Sequence, residues 1–187
     1  MSNAAARPPA EASAVVDFWV RAGEAGYWFA KDAAFDRTFR ERFLSLHEAA
    51  ARRELDGWAD TAGGALALLI LLDQFPRNAF RGTGHMYATD GLARRFARTA
   101  LDAAHMQEVE PSMRLFFCLP FAHSERLEDQ DLSVELNTQL GPEARRHAED
   151  HRDIVKRFGR FPHRNPMLGR ESTPGEAEFL RNGGFAG

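Results

Sequence analysis

The side chains best suited to chemistry fall in three short segments: Leu72-Asp-Gln-Phe-Pro-Arg-Asn78, Leu119-Pro-Phe-Ala-His-Ser-Glu125 and Gly159-Arg-Phe-Pro-His-Arg-Asn165. The first and third share the order Phe-Pro, then Arg-Asn. The planar fork of donors on arginine matches carboxylate and phosphate oxygens. Arg77, Arg160 and Arg164 could therefore hold an anionic group, with Asn78, Asn165 and His163 orienting it. General acid–base chemistry is a second possibility. It would use His123 or His151 as the base and Asp73 or Glu125 as the acid or orienter. Gln74 and Ser124 complete the candidate set. Ser124 next to His123 is no triad signal, because side chains adjacent in sequence diverge.

The same residues also have a structural reading. Arg and His are stabilising by roughly 0.3–1 kcal/mol at a helix C-terminus, proline stops a helix, and Asn tolerates the left-handed turn that follows. Phe75 and Phe161 could dock those turns into a core. His147 and His151 have the four-residue spacing of a zinc pair. In His147-Ala-Glu-Asp-His151, however, the Glu is adjacent to neither histidine, so neither zinc-peptidase pattern is met. No metal and no cofactor are expected, and no nucleophile elbow, phosphate loop or dinucleotide fingerprint is present.

The elements that must position these residues read as helices throughout, with no convincing two-residue alternation for a strand. A first helix spans about 11–22 and ends at Gly23. A second starts at the capping Asp32 and carries Phe35, Phe39 and Phe43 on one face. A third runs from about Thr61 to Phe75, apolar nearly all round and so central. The connector from Pro76 to Ala88 reads as a long loop. A fourth helix follows Thr89, a plausible cap, to about Met106. The fifth starts at Pro111 and should stop at Pro120. The sixth covers about 126–140. The seventh runs from Pro142 to Phe158 before Gly159, with Ala144, His147, Ala148, His151, Val155 and Phe158 on one stripe facing inward or toward a cleft. The eighth has Ser172-Thr173 as cap, Pro174 at its first position and Gly183 after it. The fold class is all-α: about eight helices as stacked antiparallel hairpins, in the manner of helical repeats, though without a repeat period. In such a stack the third, fifth and seventh helices end on the same side, so the three polar segments are expected to line one edge.

The chain has 187 residues, 44% hydrophobic and 27% charged, enough for one all-helical domain over 11–187 after a flexible N-terminus at 1–10. With 24 basic and 27 acidic residues the net charge is −3, which gives no case for nucleic acid. The single cysteine, Cys118, excludes an internal disulfide and sits in the apolar run Leu115–Leu119, as a buried residue would. The apolar stretch Ala65–Leu72 is too short to span a bilayer, and residues 1–9 do not form a signal peptide. The expected address is cytoplasmic.

The segments Leu71–Asn78, Thr89-Asp90, Leu119–Glu125 and Phe158–Asn165 resemble the bacterial domain of unknown function 924 family, as do Trp28-Phe29, Lys31-Asp32, Phe35-Asp36 and Leu168–Thr173. The resemblance covers about residues 14–181. It implies a tetratricopeptide-like α–α superhelix and brings no established activity, substrate or cofactor. Carried over by position, it marks Asp73, Gln74, Arg77, Asn78, Arg81, His123, Ser124, Glu125, Gln130, His151, Arg160, His163, Arg164 and Asn165, and it omits His147. Cys118 and Gly175 depart from the residues common in the pattern.

Three functions stay open. The chain could be a binding module for a small anionic ligand or an acidic peptide end at the shared edge. It could instead be a hydrolase-like enzyme at that edge, or a tetratricopeptide-like protein-interaction scaffold whose polar motifs lock its turns. An anion binder needs arginines not all used by internal carboxylates, and an enzyme needs His and carboxylate facing one cavity. Oligomeric state is not legible.

Overall fold

A computed structural model describes residues 8–187, so the N-terminal segment expected to be flexible lies, for residues 1–7, outside the described residues. All regular structure among the described residues is helical, as expected. The helices are α1 (Ala10–Glu24), α2 (Ala33–Ala51), α3 (Ala62–Leu69), α4 (Phe75–Ala79), α5 (Asp90–Asp102), α6 (His105–Glu108), α7 (Leu115–Ala122), α8 (Leu127–Thr138), α9 (Pro142–Phe158) and α10 (Pro174–Arg181). They divide into two compact units. Among the described residues, unit 1 is residues 8–81 with 85–120, and unit 2 is residues 82–84 with 121–187.

Unit 1 is built on α3, which is buried all round from Ala65 to Leu69 and packs against α1 and α5. Its entry is set by Thr61, whose hydroxyl accepts the Gly64 amide, and by Gly64 itself, where a Cβ would overlap the Trp58 carbonyl. The aromatic face expected of α2 is core. Phe39 and Phe43 are buried, and Phe39 stacks on Trp19 of α1 at 5.2 Å. Asp32 caps α2 as expected, accepting the amides of Ala34 and Phe35. Cys118 is also core, and burial pushes its thiol up to about 12.

The third helix does not end at Phe75. It passes through one π turn, Ile70–Gln74, and continues as α4 across Pro76. Proline has no N–H and clashes with the carbonyl four residues earlier, so the helix widens there rather than stopping. Three side chains donate to the successive carbonyls next to this break. His47 Nδ1 lies 2.8 Å from Leu71 O, the Thr89 hydroxyl 2.5 Å from Leu72 O, and Arg77 Nη1 2.7 Å from Asp73 O. Because a carbonyl only accepts, His47 carries its proton on Nδ1, and burial holds its pKa below the ordinary value despite that bond. Thr89 therefore does not cap α5, since its hydroxyl is directed at Leu72. Removing one donor, by His47→Phe or Thr89→Val, orphans a buried carbonyl and should cost about 1–3 kcal/mol. Urea unfolding of each variant reads this, and a loss below about 0.5 kcal/mol would be inconsistent with it.

Two other boundaries depart from the sequence reading. The fourth helix breaks at Ala104, whose φ of 59° is left-handed, and resumes as the short α6. Pro120 lies inside α7 rather than stopping it. Gln130 of α8 instead closes the turn after α7, its Nε2 donating to the carbonyls of Ala122 at 2.8 Å and Ser124 at 2.6 Å.

Unit 2 is a helical hairpin, α8 packed on α9 across the Gln139–Gly141 turn, followed by an irregular stretch and α10. The bounds of α9 are those expected, with Gly159 left-handed after its last residue. Of the stripe expected to face inward or toward a cleft, Ala148 and Val155 are buried, whereas His147 is largely exposed and borders a groove with His151. α10 opens on a full capping box between Thr173 and Glu176. Ile154, Val155 and Phe161 form the core of this unit, with Phe158 and Phe179 against it.

Candidate functional site

In unit 1 the π turn and the following turn of helix place Asp73, Gln74, Arg77 and Asn78 close together, three of them buried. Their polar groups are engaged with one another and with two further carboxylates. Arg77 makes a bidentate pair with Asp90 at 2.8 and 3.0 Å and approaches the buried Asp73 carboxylate at 3.3 Å. Gln74 donates to Asp73. Asn78 donates to Asp36 at 2.7 Å, and Arg81 grips the same carboxylate through Nε and Nη2 at 2.8 and 3.1 Å. The forks that could have taken an external anion here are filled by Asp90 and Asp36.

In unit 2 the structure brings together the other two segments. The Glu125 carboxylate accepts the Phe161 amide at 2.8 Å and a bidentate pair from Arg170 at 2.8 and 3.0 Å. Burial alone would raise the Glu125 pKa, but these donors and the nearby Arg164 hold it below the ordinary glutamate value. Arg170 continues to Asn165 Oδ1 at 3.0 Å, and Asn165 donates to Ser172 and Glu176. Arg160 pairs with Glu176 at 2.6 and 2.9 Å and adds a bond to Glu171 O. That pairing, aided by the Thr173 amide and opposed by burial, brings Glu176 down to about 2. Ser124 donates to Asp129 at 2.8 Å and accepts the Arg126 amide, so its hydroxyl stabilises the turn.

Beside this network lies a group of imidazoles. Arg164, buried, sits over the Phe161 ring at 4.5 Å. His151 packs edge-on against Phe161 at 5.7 Å, with its Nδ1 2.7 Å from the His147 carbonyl, so Nδ1 bears the proton. His163 Nδ1 is buried without a hydrogen-bond partner among the described residues. Burial pushes His151 down to about 4, with His123 and Arg164 adding to the shift and the His147 carbonyl opposing it. Burial and Arg164 bring His163 to about 3. Among the described residues no three His, Cys, Asp or Glu side chains are arranged to hold a metal ion.

Both histidines are therefore neutral in the fold and take up protons more readily when it unfolds. Stability contributed by that difference is fully present above the ordinary histidine value near 6.5. It is lost as pH falls toward 4 for His151 and toward 3 for His163. The melting temperature should fall between pH 7 and pH 5, and His163→Asn should show a smaller fall. Equal pH dependence in both proteins would contradict this assignment.

Residues of α9 from His147 to Phe158 form one wall of a half-open groove of about 390 Å3. Ile154, Phe158, Phe179 and Phe185 supply its apolar surface, and His151 and Arg157 supply polar edges. Arg157 stacks over Phe158 at 4.7 Å and Phe179 at 5.8 Å. Phe185 itself lies 4.6 Å from His151 and edge-on to His163 at 5.1 Å. The α9 stripe expected to face inward or toward a cleft supplies His147, His151 and Phe158 to this lining, whereas the part of Phe185 and the partners Asp36, Asp90, Arg170 and Glu176 were not legible in the sequence. Asp36, Asp90 and Arg170 stand in the Phe35-Asp36, Thr89-Asp90 and Leu168–Thr173 segments and Glu176 three residues beyond the last of these, but their pairing depends on the tertiary fold.

Fold and site together define a class: an all-helical protein whose Phe-Pro turns are secured by internal Arg–carboxylate networks. The chain belongs to a bacterial family of unknown function, DUF924, whose model matches residues 15–184. It is also similar to the solved structure of the protein of unknown function ATU0120 from Agrobacterium tumefaciens. That protein is 57% identical, with a TM-score of 0.90 over 93% of this chain and 98% of the other. No curated protein matches the chain. No helix among the described residues is long and apolar enough to cross a membrane.

Proposed function

We propose that the chain is a protein-interaction module on a tetratricopeptide-like helical scaffold, with a cytoplasmic address, and that its polar motifs are ties rather than a reaction centre. The observation that carries this reading is the filling of the arginine forks. Arg77, Arg81, Arg160 and Arg170 each face a carboxylate of their own unit. Bidentate pairs of this kind are geometrically specific and strong, so they hold turns well and leave none of these four forks for a metabolite. The hydrolase-like alternative has less support. Glu125 is committed to Arg170 and the Phe161 amide, and a base whose pKa is about 4, as for His151, is weak near neutral pH. The two units are proposed to act as one domain, which predicts a single cooperative melting transition.

A small anionic ligand is the second reading. It is favoured by the buried Arg164, whose charge acts on His151 and His163 and makes a region attractive to anions. One experiment separates the two. Phosphorylated and carboxylated metabolites are screened by thermal shift against the native protein and Arg164→Ala. The interaction-module reading expects no compound to stabilise the native protein. A compound that stabilises it and loses its effect in Arg164→Ala would overturn that reading in favour of the anion site.

A further inference from the structure

Helix α10 does not simply end. Gly183 is left-handed, its amide bonds the Leu180 carbonyl at 3.3 Å, and the Gly184 amide bonds the Phe179 carbonyl at 2.9 Å. That pair of bonds is the Schellman turn, which reverses the chain over the last turn of the helix. The reversal brings Phe185 into the lining of the groove. Gly184 lies flush on Phe179, where a Cβ would meet the ring at 2.5 Å. Gly187 approaches His163, where a Cβ would meet the imidazole at 3.0 Å. Between these glycines Phe185 places its ring against His151 and His163.

The seat is built for a ring but is incompletely used. Phe185 remains 41% exposed although it covers two imidazoles, and space of about 390 Å3 stays open beside it. A phenylalanine gains most from full burial, so a ring left this exposed can be displaced by one that reaches deeper. The backbone before Phe185 runs too close to Phe179 for a side chain at Gly184, and Ala186 follows the ring, so a segment on the same path carries its aromatic residue between small ones.

We propose that this groove is a docking site for a partner segment presenting an aromatic side chain between small residues, and that the chain's own Gly183–Gly187 segment occupies it as a resident competitor. The inference rests on the interaction-module reading and specifies the partner's chemistry. A ligand that binds only the uncovered state is weakened by the fraction of molecules in which the groove is open. If the resident segment covers the groove in nine molecules of ten, the native protein binds roughly ten-fold more weakly than one whose segment lacks the ring.

The test uses the full chain and a capped pentapeptide, Gly-Gly-Phe-Ala-Gly, with Gly-Gly-Ala-Ala-Gly as control. The imidazole NMR signals of His151 and His163 report binding. In Phe185→Ala the Phe peptide should move both signals, at a concentration roughly ten-fold below that needed for the native protein, and the control should move neither. Gly184→Ala, which drives the segment off Phe179 while keeping the ring, should also bind the peptide at lower concentration than native. The proposal is overturned if the Phe peptide leaves both signals of Phe185→Ala unmoved, if native and Phe185→Ala respond at the same concentration, or if the control peptide works equally well. A metabolite that stabilises the native protein but not Arg164→Ala would by contrast overturn the module reading, whatever the peptide does.

Discussion

Arg77→Ala is expected to lower the melting temperature by on the order of 10 °C and to leave the helical fold of the remaining native population unchanged. The side chain bridges Asp90 and the almost fully buried Asp73, and also donates to the Asp73 carbonyl beside the Pro76 break. Removing the cation of a buried pair costs about 3–5 kcal/mol, because the carboxylates keep their desolvation penalty without its compensation. A chain of this size loses about 2–4 °C for each kcal/mol. The decisive comparison is the triple change Arg77→Leu with Asp73→Asn and Asp90→Asn. It removes the charges together and should recover a large part of the loss, since neutral groups of similar volume replace buried ion pairs at little cost. An arginine kept for an external anion predicts the opposite order. Arg77→Ala would then melt like the native protein, and the triple variant would gain nothing over it.

That contrast also shows what could be read from sequence and what could not. The helices were legible because their signals are local. Asp32 precedes the aromatic face of α2, Pro142 and Gly159 bracket α9, and Thr173-Pro174 opens α10. At two of the places where local signals misled, side chains from other elements serve the backbone carbonyls. Pro76 and Pro120 look like stops, yet His47, Thr89 and Arg77 serve the carbonyls near the first, and Gln130 serves the turn after the second. His47 lies 24 positions from Leu71, a separation that hydrophobic periodicity cannot see.

The candidate site was half legible for the same reason. Residue type picked out Arg160 to Asn165 and His123 to Glu125, and these meet in unit 2. Type alone could not say that Glu125 would be taken by Arg170 rather than left to act with a histidine. The α9 stripe divides between the two faces expected of it: Ala148 and Val155 enter the core, while His147 and His151 turn to the groove, His147 at its exposed rim. The part of Phe185 in the groove was not legible because this residue lies beyond the last helical signal. Its position follows from the reversal at Gly183 rather than from any periodicity.

Glu125 and Arg170 should prove to be the energetic centre of unit 2. Glu125→Ala removes the acceptor of three donors at once, the Phe161 amide and both nitrogens of the Arg170 fork. Hydrogen bonds to a charged group contribute about 1.5–3 kcal/mol each when whole. The pair is about one quarter exposed, which screens it, so a total loss of about 2–4 kcal/mol is expected. Arg170→Ala should cost less than the sum of its bonds, because Glu125 retains the Phe161 amide and Arg164 nearby. The double variant then decides the matter. With Asn165 and the Phe161 carbonyl also bonded to Arg170, the two losses should be strongly non-additive, with a coupling of about 1–3 kcal/mol. Additive losses would mean that the guanidinium and the carboxylate hold the turn independently, and the network would then be a set of separate contacts rather than one tie.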